Sequence, residues 1–286
     1  MKKLLALVLA ALMMMSLAAC AAQDAAAVAD ATAAPEATAA TEEAAAGAID
    51  MSAVKFIQDG VLSVGMEIGY PPFEDLAEDG TTPIGYDVDF AKALGEKLGV
   101  AVTFVNTAWD GIFQGIGVNY DCVISAVTIT DERKESMLFS EPYISNYQAV
   151  VVRKDSPLKI NSFLDLNGLA IAVQKETTSD ILMSDYVSTG SINSTISANE
   201  KVPTCFTQLE NGEVDVVVVD SSVADGYLAS NPDKFVKAFQ DESEPQEFGV
   251  AVAKDNTALQ AAINQAITQL TAEGYFEESV AYWFGK

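Results

Sequence analysis

Short apolar runs alternate with amphipathic stretches from residue 51 to the end of the chain. The runs predict buried strands, and the β-branched run at 214–219 is typical of a central parallel strand covered on both faces. Apolar residues at helical spacing before Gly99 predict an amphipathic helix that ends there. These residues are Val88, Phe90, Ala91, Leu94 and Leu98. Strands that alternate with helices predict an α/β fold with mainly parallel sheets.

Polar and aromatic residues follow the predicted strands at the points where the strands end. Ligands of parallel sheets bind outside the carboxyl ends of the strands, so we expect these residues to share one edge. The arginine and one aspartate match the carboxylate and ammonium groups of an α-amino acid, and the aromatic rings could clamp its side chain. The set comprises Glu67, Tyr70, Trp109, Ser125, Thr128, Arg133, Thr177, Thr178 and Asp220.

The segment 125–133 carries the strongest single signal, because it joins small and hydroxyl residues to Arg133 directly after an apolar run. A guanidinium can grip a carboxylate with two parallel hydrogen bonds. A purely structural interpretation stays open for each member of the set. The threonines and Asp220 could be helix N-caps, the aromatic residues could lie in the core or at its rim, and Arg133 could be solvated. Their grouping at one sheet edge favours a binding site.

The composition narrows the classes of function. The chain has 286 residues, half of them apolar, and a net charge of −25, which argues against a nucleic-acid partner. It contains no histidine, which removes Ser-His-Asp and Cys-His catalysis and histidine-ligated metal sites. The three cysteines, Cys20, Cys122 and Cys205, form neither a CxxC pair nor a zinc spacing. We therefore expect neither a metal nor a cofactor.

The N-terminus has the pattern of a targeting segment. Lys2 and Lys3 precede an apolar run at 4–19, which is short for a membrane span and typical of a signal peptide. The run ends in LAAC, which resembles the lipobox of bacterial lipoproteins. It predicts a lipoprotein signal peptide at 1–20 and lipidation of Cys20, which cleavage leaves as the N-terminus. An uncleaved anchor, or an ordinary signal with a chance cysteine, is the alternative. The Ala-rich, acidic stretch 21–50 predicts a disordered tether.

Several motifs of the folded part together resemble the bacterial extracellular solute-binding proteins of family 3, which are substrate-binding lipoproteins of polar amino-acid ABC transporters. The motifs are GYPPFE (69–74), GYDVD (85–89), TITDER (128–133), FSEPY (139–143), VD (219–220) and YWF (282–284). The resemblance implies a two-lobed, type II periplasmic-binding-protein-like fold. Each lobe would be a mainly parallel sheet flanked by helices, joined by two crossover strands. Lobe 1 would comprise 51–144 and 248–286, and lobe 2 would comprise 145–247.

The resemblance also implies roles for the site residues. The position of Arg133 holds the ligand α-carboxylate in the family, and the position of Asp220 takes the α-ammonium group. Glu67 matches an acid that often reads the far end of the ligand. The aromatic residues flank the ligand side chain, and the remaining residues assist at the carboxylate or lie beside the cleft. These are Tyr70 and Trp109, and then Thr128, the backbone at Ser125 and Ala126, Lys175, Thr177 and Thr178.

Two positions depart from the family pattern. Glu176 stands where the family usually has glycine, and Ala126 replaces a more usual glycine or serine. Glu67, with added negative charge from Glu176, favours a basic amino acid, although Glu67 could equally accept a hydrogen bond from a glutamine amide. Cys122 and Cys205 fall in different predicted lobes, so we expect both to be free thiols.

The expected function is capture of a free polar amino acid, leaning basic, in the cleft between the lobes, and its delivery to a membrane permease. We expect a monomeric, non-enzymatic protein, lipid-anchored outside the cytoplasm, on the outer face of the plasma membrane or in a periplasm. Two alternatives remain. One is a dehydratase-type enzyme on the same scaffold, with Glu176 as general acid, and the other is the ligand-sensing module of a receptor.

Overall fold

The computed structural model describes residues 47–285. The predicted signal peptide, the lipidation site at Cys20 and the tether up to residue 46 lie outside this range. Within the described part of the chain, every helix is too short or too polar to cross a membrane.

The described residues form two five-stranded sheets. The first sheet combines strands from the N-terminal part of this range with one strand from its C-terminal part. Its spatial order is β4 (Ala101–Asn106), β1 (Val61–Met66), β5 (Cys122–Val123), β12 (Ala251–Ala253) and β6 (Met137–Phe139). A small hairpin of β2 (Asp75–Leu76) and β3 (Pro83–Ile84) precedes the first helix. The helices of this half are α1 (Tyr86–Leu98), α2 (Asp131–Ser136), α6 (Thr257–Ala272) and α7 (Tyr275–Phe284), with a 3-10 turn at Ile112–Gly115.

The second sheet is formed by the middle of the chain. Its order is β11 (Phe235–Phe248), β7 (Ile144–Arg153), β10 (Val216–Asp220), β8 (Ala170–Gln174) and β9 (Thr195–Asn199). Its helices are α3 (Thr178–Ser188), α4 (Val202–Asn211) and α5 (Ser221–Ser230), with a 3-10 turn at Phe163–Leu166. All four valines of β10 are at most 2% exposed, as the β-branched run predicts for a strand covered on both faces.

The predicted α/β class and the two-lobed arrangement are confirmed, but both sheets are mixed rather than mainly parallel. In the first sheet β1 pairs in parallel with β4 and β5, while β12 runs antiparallel to β5 and β6. In the second, β8 pairs in parallel with β9 and β10, while β7 runs antiparallel to β10 and β11. The antiparallel pairs arise where the chain passes from one half to the other and comes back.

The two connecting strands pair with each other where they leave the second sheet. Ile144 at the start of β7 lies opposite Phe248 at the end of β11, and Ser145 lies opposite Glu247. We propose lobe boundaries at this crossing, with 51–144 and 248–286 in lobe 1 and 145–247 in lobe 2.

The apolar periodicity places the helices as predicted. Each residue of the predicted stripe on α1 is buried, and Gly99 ends the helix in the left-handed conformation. Cys122 in lobe 1 and Cys205 in lobe 2 are both buried free thiols.

Candidate functional site

A small cavity lies between the two lobes, at the ends of their strands. Every predicted ligand residue except Lys175 lines it, and Gln174 lines it in addition. The lining residues are Glu67, Tyr70, Trp109, Ser125, Ala126, Thr128, Arg133, Gln174, Thr177, Thr178 and Asp220. Lobe 1 contributes the residues up to Arg133, and lobe 2 contributes the others. These residues therefore meet at one edge of the sheets, as their positions at the strand ends predict.

The contacts that hold Arg133 all come from its own lobe. Thr130 caps α2 by accepting a hydrogen bond from the Arg133 backbone N–H at 3.2 Å. Arg133 Nη1 donates to the Thr128 carbonyl at 2.8 Å, and the guanidinium carbon lies 5.5 Å and 5.1 Å from the ring centres of Trp109 and Phe113. Burial lowers the pKa of Arg133 to about 10, so the guanidinium stays charged at neutral pH. Thr130 therefore has a structural role as the N-cap, and Arg133 is a charged group at the cavity wall.

Asp220 ends strand β10, and its side chain faces the cavity rather than capping the following helix. It occupies the N-cap position of α5 but makes no capping hydrogen bond with its side chain. Asn146 Nδ2 and Gln148 Nε2 donate to Oδ1 at 2.8 Å and 2.9 Å, and the Tyr70 hydroxyl donates to Oδ2 at 2.5 Å. Burial raises the pKa of Asp220 to about 6, against the lowering effect of these hydrogen bonds and of the positive charge of Arg133.

Four contacts join the lobes around the cavity, so the lobes are closed against each other. Two lie inside it: the Tyr70–Asp220 hydrogen bond, and the bond from Gln174 Nε2 to Glu67 Oε2 at 2.6 Å. The other two lie at its rim. Trp109 Nε1 donates to the Glu176 carbonyl at 3.2 Å, and Lys175 Nζ donates to Asp110 Oδ2 at 2.9 Å.

Glu67 has a buried carboxyl group, and one of its two oxygens has no hydrogen-bond partner among the described residues. Gln174 donates to Oε2, whereas Oε1 makes no hydrogen bond within the described residues. Burial raises the pKa of Glu67, while the Gln174 hydrogen bond, the positive charge of Lys201 and the Trp109 backbone N–H lower it. A buried carboxyl oxygen without a partner, at the wall of a cavity, is fitted to a hydrogen-bond donor of a ligand.

The loop of Ser125 and Ala126 turns some of its polar groups away from the cavity. The Ser125 hydroxyl donates to Glu74 Oε1 at 2.5 Å and accepts from the Glu67 backbone N–H. The Ala126 backbone N–H donates to Asp87 Oδ2 at 2.7 Å. These groups are engaged inside lobe 1, so they shape this wall of the cavity by holding the loop.

The loop after β8 uses its residues in different ways. Thr177 caps α3 by accepting from the Asp180 N–H, and the Thr178 hydroxyl donates to Gln246 Oε1 at 3.2 Å. Glu176 adopts a φ of 61°, the left-handed region that favours glycine, which explains the usual family residue. Its side chain is half exposed outside the cavity, near Lys175. Neither charged side chain of this pair reaches the cavity.

Gln174 is the lining residue that the sequence argument missed. It is the last residue of β8, directly before Lys175 and the two threonines that were predicted to lie at the cleft. Its amide bridges Glu67 and the Glu200 carbonyl, at 2.6 Å and 3.0 Å. Extending the strand-end rule to the final residue of each strand would have found it.

Comparison with known proteins agrees with this fold. The chain belongs to the bacterial extracellular solute-binding proteins, family 3, which it matches over residues 62–286. It is 33% identical over 231 residues to ABC transporter arginine-binding protein 1 of Escherichia coli strain K12, covering 78% of this chain and 90% of the relative.

Solved structures agree in fold. An ancestral arginine-binding protein bound to arginine matches with a TM-score of 0.74 and 35% identity, over 79% of this chain and 99% of the other. The ancestral amino acid-binding protein AncCDT-1, a precursor of cyclohexadienyl dehydratase, matches with a TM-score of 0.72 and 34% identity, over 79% and 96%.

Proposed function

We propose that the protein is the substrate-binding lipoprotein of an ABC importer, and that it captures a free polar amino acid, leaning basic, between its lobes. One observation carries the proposal: Arg133 of lobe 1 and Asp220 of lobe 2 line the same small cavity. A guanidinium and a carboxylate on facing walls are complementary to the carboxylate and ammonium ends of an α-amino acid. Relatives named as arginine-binding proteins support this choice.

The far end of the cavity favours a ligand side chain that donates hydrogen bonds. Glu67 Oε1 is buried and has no hydrogen-bond partner among the described residues, whereas Oε2 accepts a hydrogen bond from Gln174. A guanidinium or ammonium group would satisfy the open oxygen and balance its charge, while an amide would satisfy the oxygen alone. We therefore place arginine first among the candidates, followed by lysine, ornithine and histidine, and then glutamine.

Closure is the mechanical step of the proposed function. Ligand would dock on Arg133, and lobe 2 would swing about the crossing strands to bring Asp220 and Thr178 onto it. Asn146 and Gln148 hold Asp220 from the crossing strand β7, so the ammonium site moves with the hinge. Contacts made only after closure then stabilise the closed form, which a permease would recognise.

The remaining parts of the proposal concern place and assembly. We propose that Cys20 carries the lipid anchor, and that the protein works as a monomer outside the cytoplasm. We propose no catalytic function, because Glu176, the candidate general acid, points away from the cavity. Turnover of prephenate or arogenate by the purified protein would contradict this.

A thermal-shift screen of the twenty amino acids, ornithine and cystine, followed by calorimetry, tests the function. We expect stabilisation by basic amino acids first and no response to agmatine, which lacks the carboxylate. An unchanged melting temperature with every amino acid, or equal binding of agmatine and arginine, would overturn the proposal.

A further inference from the structure

Two fully buried carboxyl groups, Glu74 and Asp87, bind consecutive residues of the Ser125–Ala126 loop from inside lobe 1. The backbone brings them together at Gly85, where φ is 137° and a Cβ atom would lie 2.1 Å from the Phe73 carbonyl oxygen. Only glycine permits this approach. The Asp87 backbone N–H donates to that same carbonyl at 2.9 Å, so the start of α1 is fixed beside Glu74.

Each carboxyl group has one oxygen bound to the loop and one without a partner. Glu74 Oε1 accepts from the Ser125 hydroxyl, and Asp87 Oδ2 accepts from the Ala126 N–H and, at 3.0 Å, from the Tyr143 hydroxyl. Glu74 Oε2 and Asp87 Oδ1 are buried and make no hydrogen bond within the described residues. A proton held between two adjacent carboxyl groups would satisfy both oxygens at once.

The surroundings supply no positive charge that could replace this proton. Among the described residues, neither Glu74 nor Asp87 takes part in an ion pair, and the ionisable groups that face them are acids and phenols. They are Glu67 and Asp75 on the Glu74 side, and Tyr70, Tyr86, Tyr143 and Tyr275 around the pair.

The hydrogen bonds indicate which of the two groups holds the proton. Asp87 accepts from two donors, which stabilise a carboxylate, whereas Glu74 accepts from one. Burial raises the pKa of Glu74 well above its usual range, and the negative charge of Asp87 raises it further. Burial raises the pKa of Asp87 to about 7, against the Ala126 and Tyr143 hydrogen bonds.

We propose that Glu74 and Asp87 share one proton at neutral pH, and that this proton sets the charge behind the loop that shapes the carboxylate side of the cavity. The two residues are positioning residues, because they act on the ligand through Ser125 and Ala126. Loss of the proton above neutral pH would place a second negative charge behind a bound carboxylate and loosen the loop. The ligand part of the inference rests on the proposed function, whereas the shared proton does not.

The sign of the stability effect follows from the proton count. The folded pair keeps a proton that the unfolded chain releases near pH 4, the ordinary range of carboxyl groups. The stability that this proton confers is therefore fully present below that range, and it is lost as the pH rises towards the pKa of the folded pair. Glu74→Gln replaces the protonated carboxyl group by a neutral amide of the same shape, which does not titrate.

The first experiment compares unfolding by denaturant for the ligand-free protein, Glu74→Gln and the exposed-carboxylate control Glu78→Gln, between pH 5 and pH 9. We expect the stability of Glu74→Gln relative to the parent to rise steadily from pH 5 towards the pKa of the folded pair, with Glu78→Gln parallel to the parent. A difference that stays constant across this range would overturn the proposal. Infrared spectra at pH 7 give a readout without unfolding: we expect a protonated-carboxyl band that Glu74→Gln lacks, and a spectrum without it would overturn the proposal as well.

The second experiment measures affinity for the amino acid selected by the screen, between pH 7 and pH 9.5. Dividing the parent affinity by that of Glu74→Gln at each pH cancels the ionisation of the ligand itself. We expect this ratio to fall about tenfold, the order of magnitude of the repulsion from one added like charge at an effective dielectric constant of about 20. A flat ratio would overturn the link between proton and ligand. Absence of all amino-acid binding would instead contradict the proposed function, and the unfolding data would still report on the pair.

Discussion

The two walls of the cavity are built in different ways. The Arg133 part of the lobe 1 wall is complete within its own lobe: Arg133 is held by the Thr128 carbonyl and lies over the rings of Trp109 and Phe113. The Asp220 part of the lobe 2 wall is completed only from across the cleft. Asp220 takes two of its hydrogen bonds from the crossing strand β7 and the third from Tyr70 across the cleft.

This difference indicates that Arg133 serves the first recognition of the ligand, whereas Asp220 serves the closed state. A preformed guanidinium can take the ligand carboxylate while the lobes are open, because none of its supports crosses the cleft. The ammonium site is assembled in full only when Tyr70 reaches Asp220. We therefore expect loss of Arg133 to abolish binding, and changes at contacts across the cleft to shorten the lifetime of the complex.

The largest effect is expected from Arg133→Ala. Removing a buried charge from beneath its partner leaves the ligand carboxylate unpaired, which costs roughly 3–5 kcal/mol. Calorimetry should show a loss of affinity of more than about a hundredfold, and Arg133→Lys should recover part of it. Equal affinity in Arg133→Ala and the parent would show that the carboxylate does not bind here.

Asp220→Asn should have the next largest effect. The amide keeps the shape but removes the charge that faces the ammonium group, and charge-assisted hydrogen bonds contribute about 1.5–3 kcal/mol. Because the pKa of Asp220 is raised to about 6, the parent should lose affinity as the pH falls below 6, when the carboxylate takes up a proton. Asp220→Asn should lack this dependence.

A matched control for this variant is Asp215→Asn. Asp215 Oδ2 accepts a hydrogen bond from the Ala170 N–H in the same lobe, away from the cavity. It should leave both the affinity and its pH profile unchanged. An identical response of the two variants would mean that the Asp220 charge has no part in binding.

Tyr70→Phe tests the contact that completes the lobe 2 wall. The hydroxyl joins the lobes inside the cavity, but Asp220 keeps its hydrogen bonds from Asn146 and Gln148 when it is removed. We expect an affinity loss of about fivefold to tenfold, as for one hydrogen bond. Stopped-flow kinetics should place this loss in the dissociation rate. Tyr86→Phe, which removes a hydroxyl bond within lobe 1 alone, is the control, and an equal effect there would contradict the account.

Lys175→Ala should have the smallest effect. The ion pair between Lys175 and Asp110 joins the lobes at the rim, and both side chains are nearly half exposed. Exposed ion pairs contribute less than about 1 kcal/mol and are screened by salt. We expect about a twofold loss of affinity that disappears at high salt. Lys154→Ala, which breaks an exposed ion pair with Asp233 inside lobe 2, should leave the affinity unchanged. A loss of affinity in Lys175→Ala that does not depend on salt would contradict an ion-pair contribution to closure at the rim.

Apolar periodicity predicts the strands and helices well, and with them the sheet edge at which the cavity lies. Buried positions recur every two residues along a strand and about every 3.6 residues along a helix, so the sequence carries these repeats. The β-branched run of β10 and the stripe on α1 were both predicted correctly. The mixed pairing of the sheets was not, because strand direction depends on where the chain crosses between lobes. The position of that crossing has no periodic pattern in the sequence from which it could be predicted.

The direction of individual polar groups was the second limit. Spacing brings Ser125 and Ala126 to the cavity, but it cannot show that their polar groups turn back to Glu74 and Asp87. It also cannot show that Lys175 and Glu176 point outwards, since this follows from the left-handed conformation at Glu176 and from the position of Asp110. These directions are set by tertiary contacts between residues far apart in sequence.

A crystal structure with the amino acid that stabilises the protein most is the most direct test of the central claim. We predict that the ligand carboxylate lies within hydrogen-bond distance of the Arg133 guanidinium and its ammonium group within hydrogen-bond distance of Asp220. A ligand bound outside this cavity, or bound within it in the reverse orientation, would contradict the account.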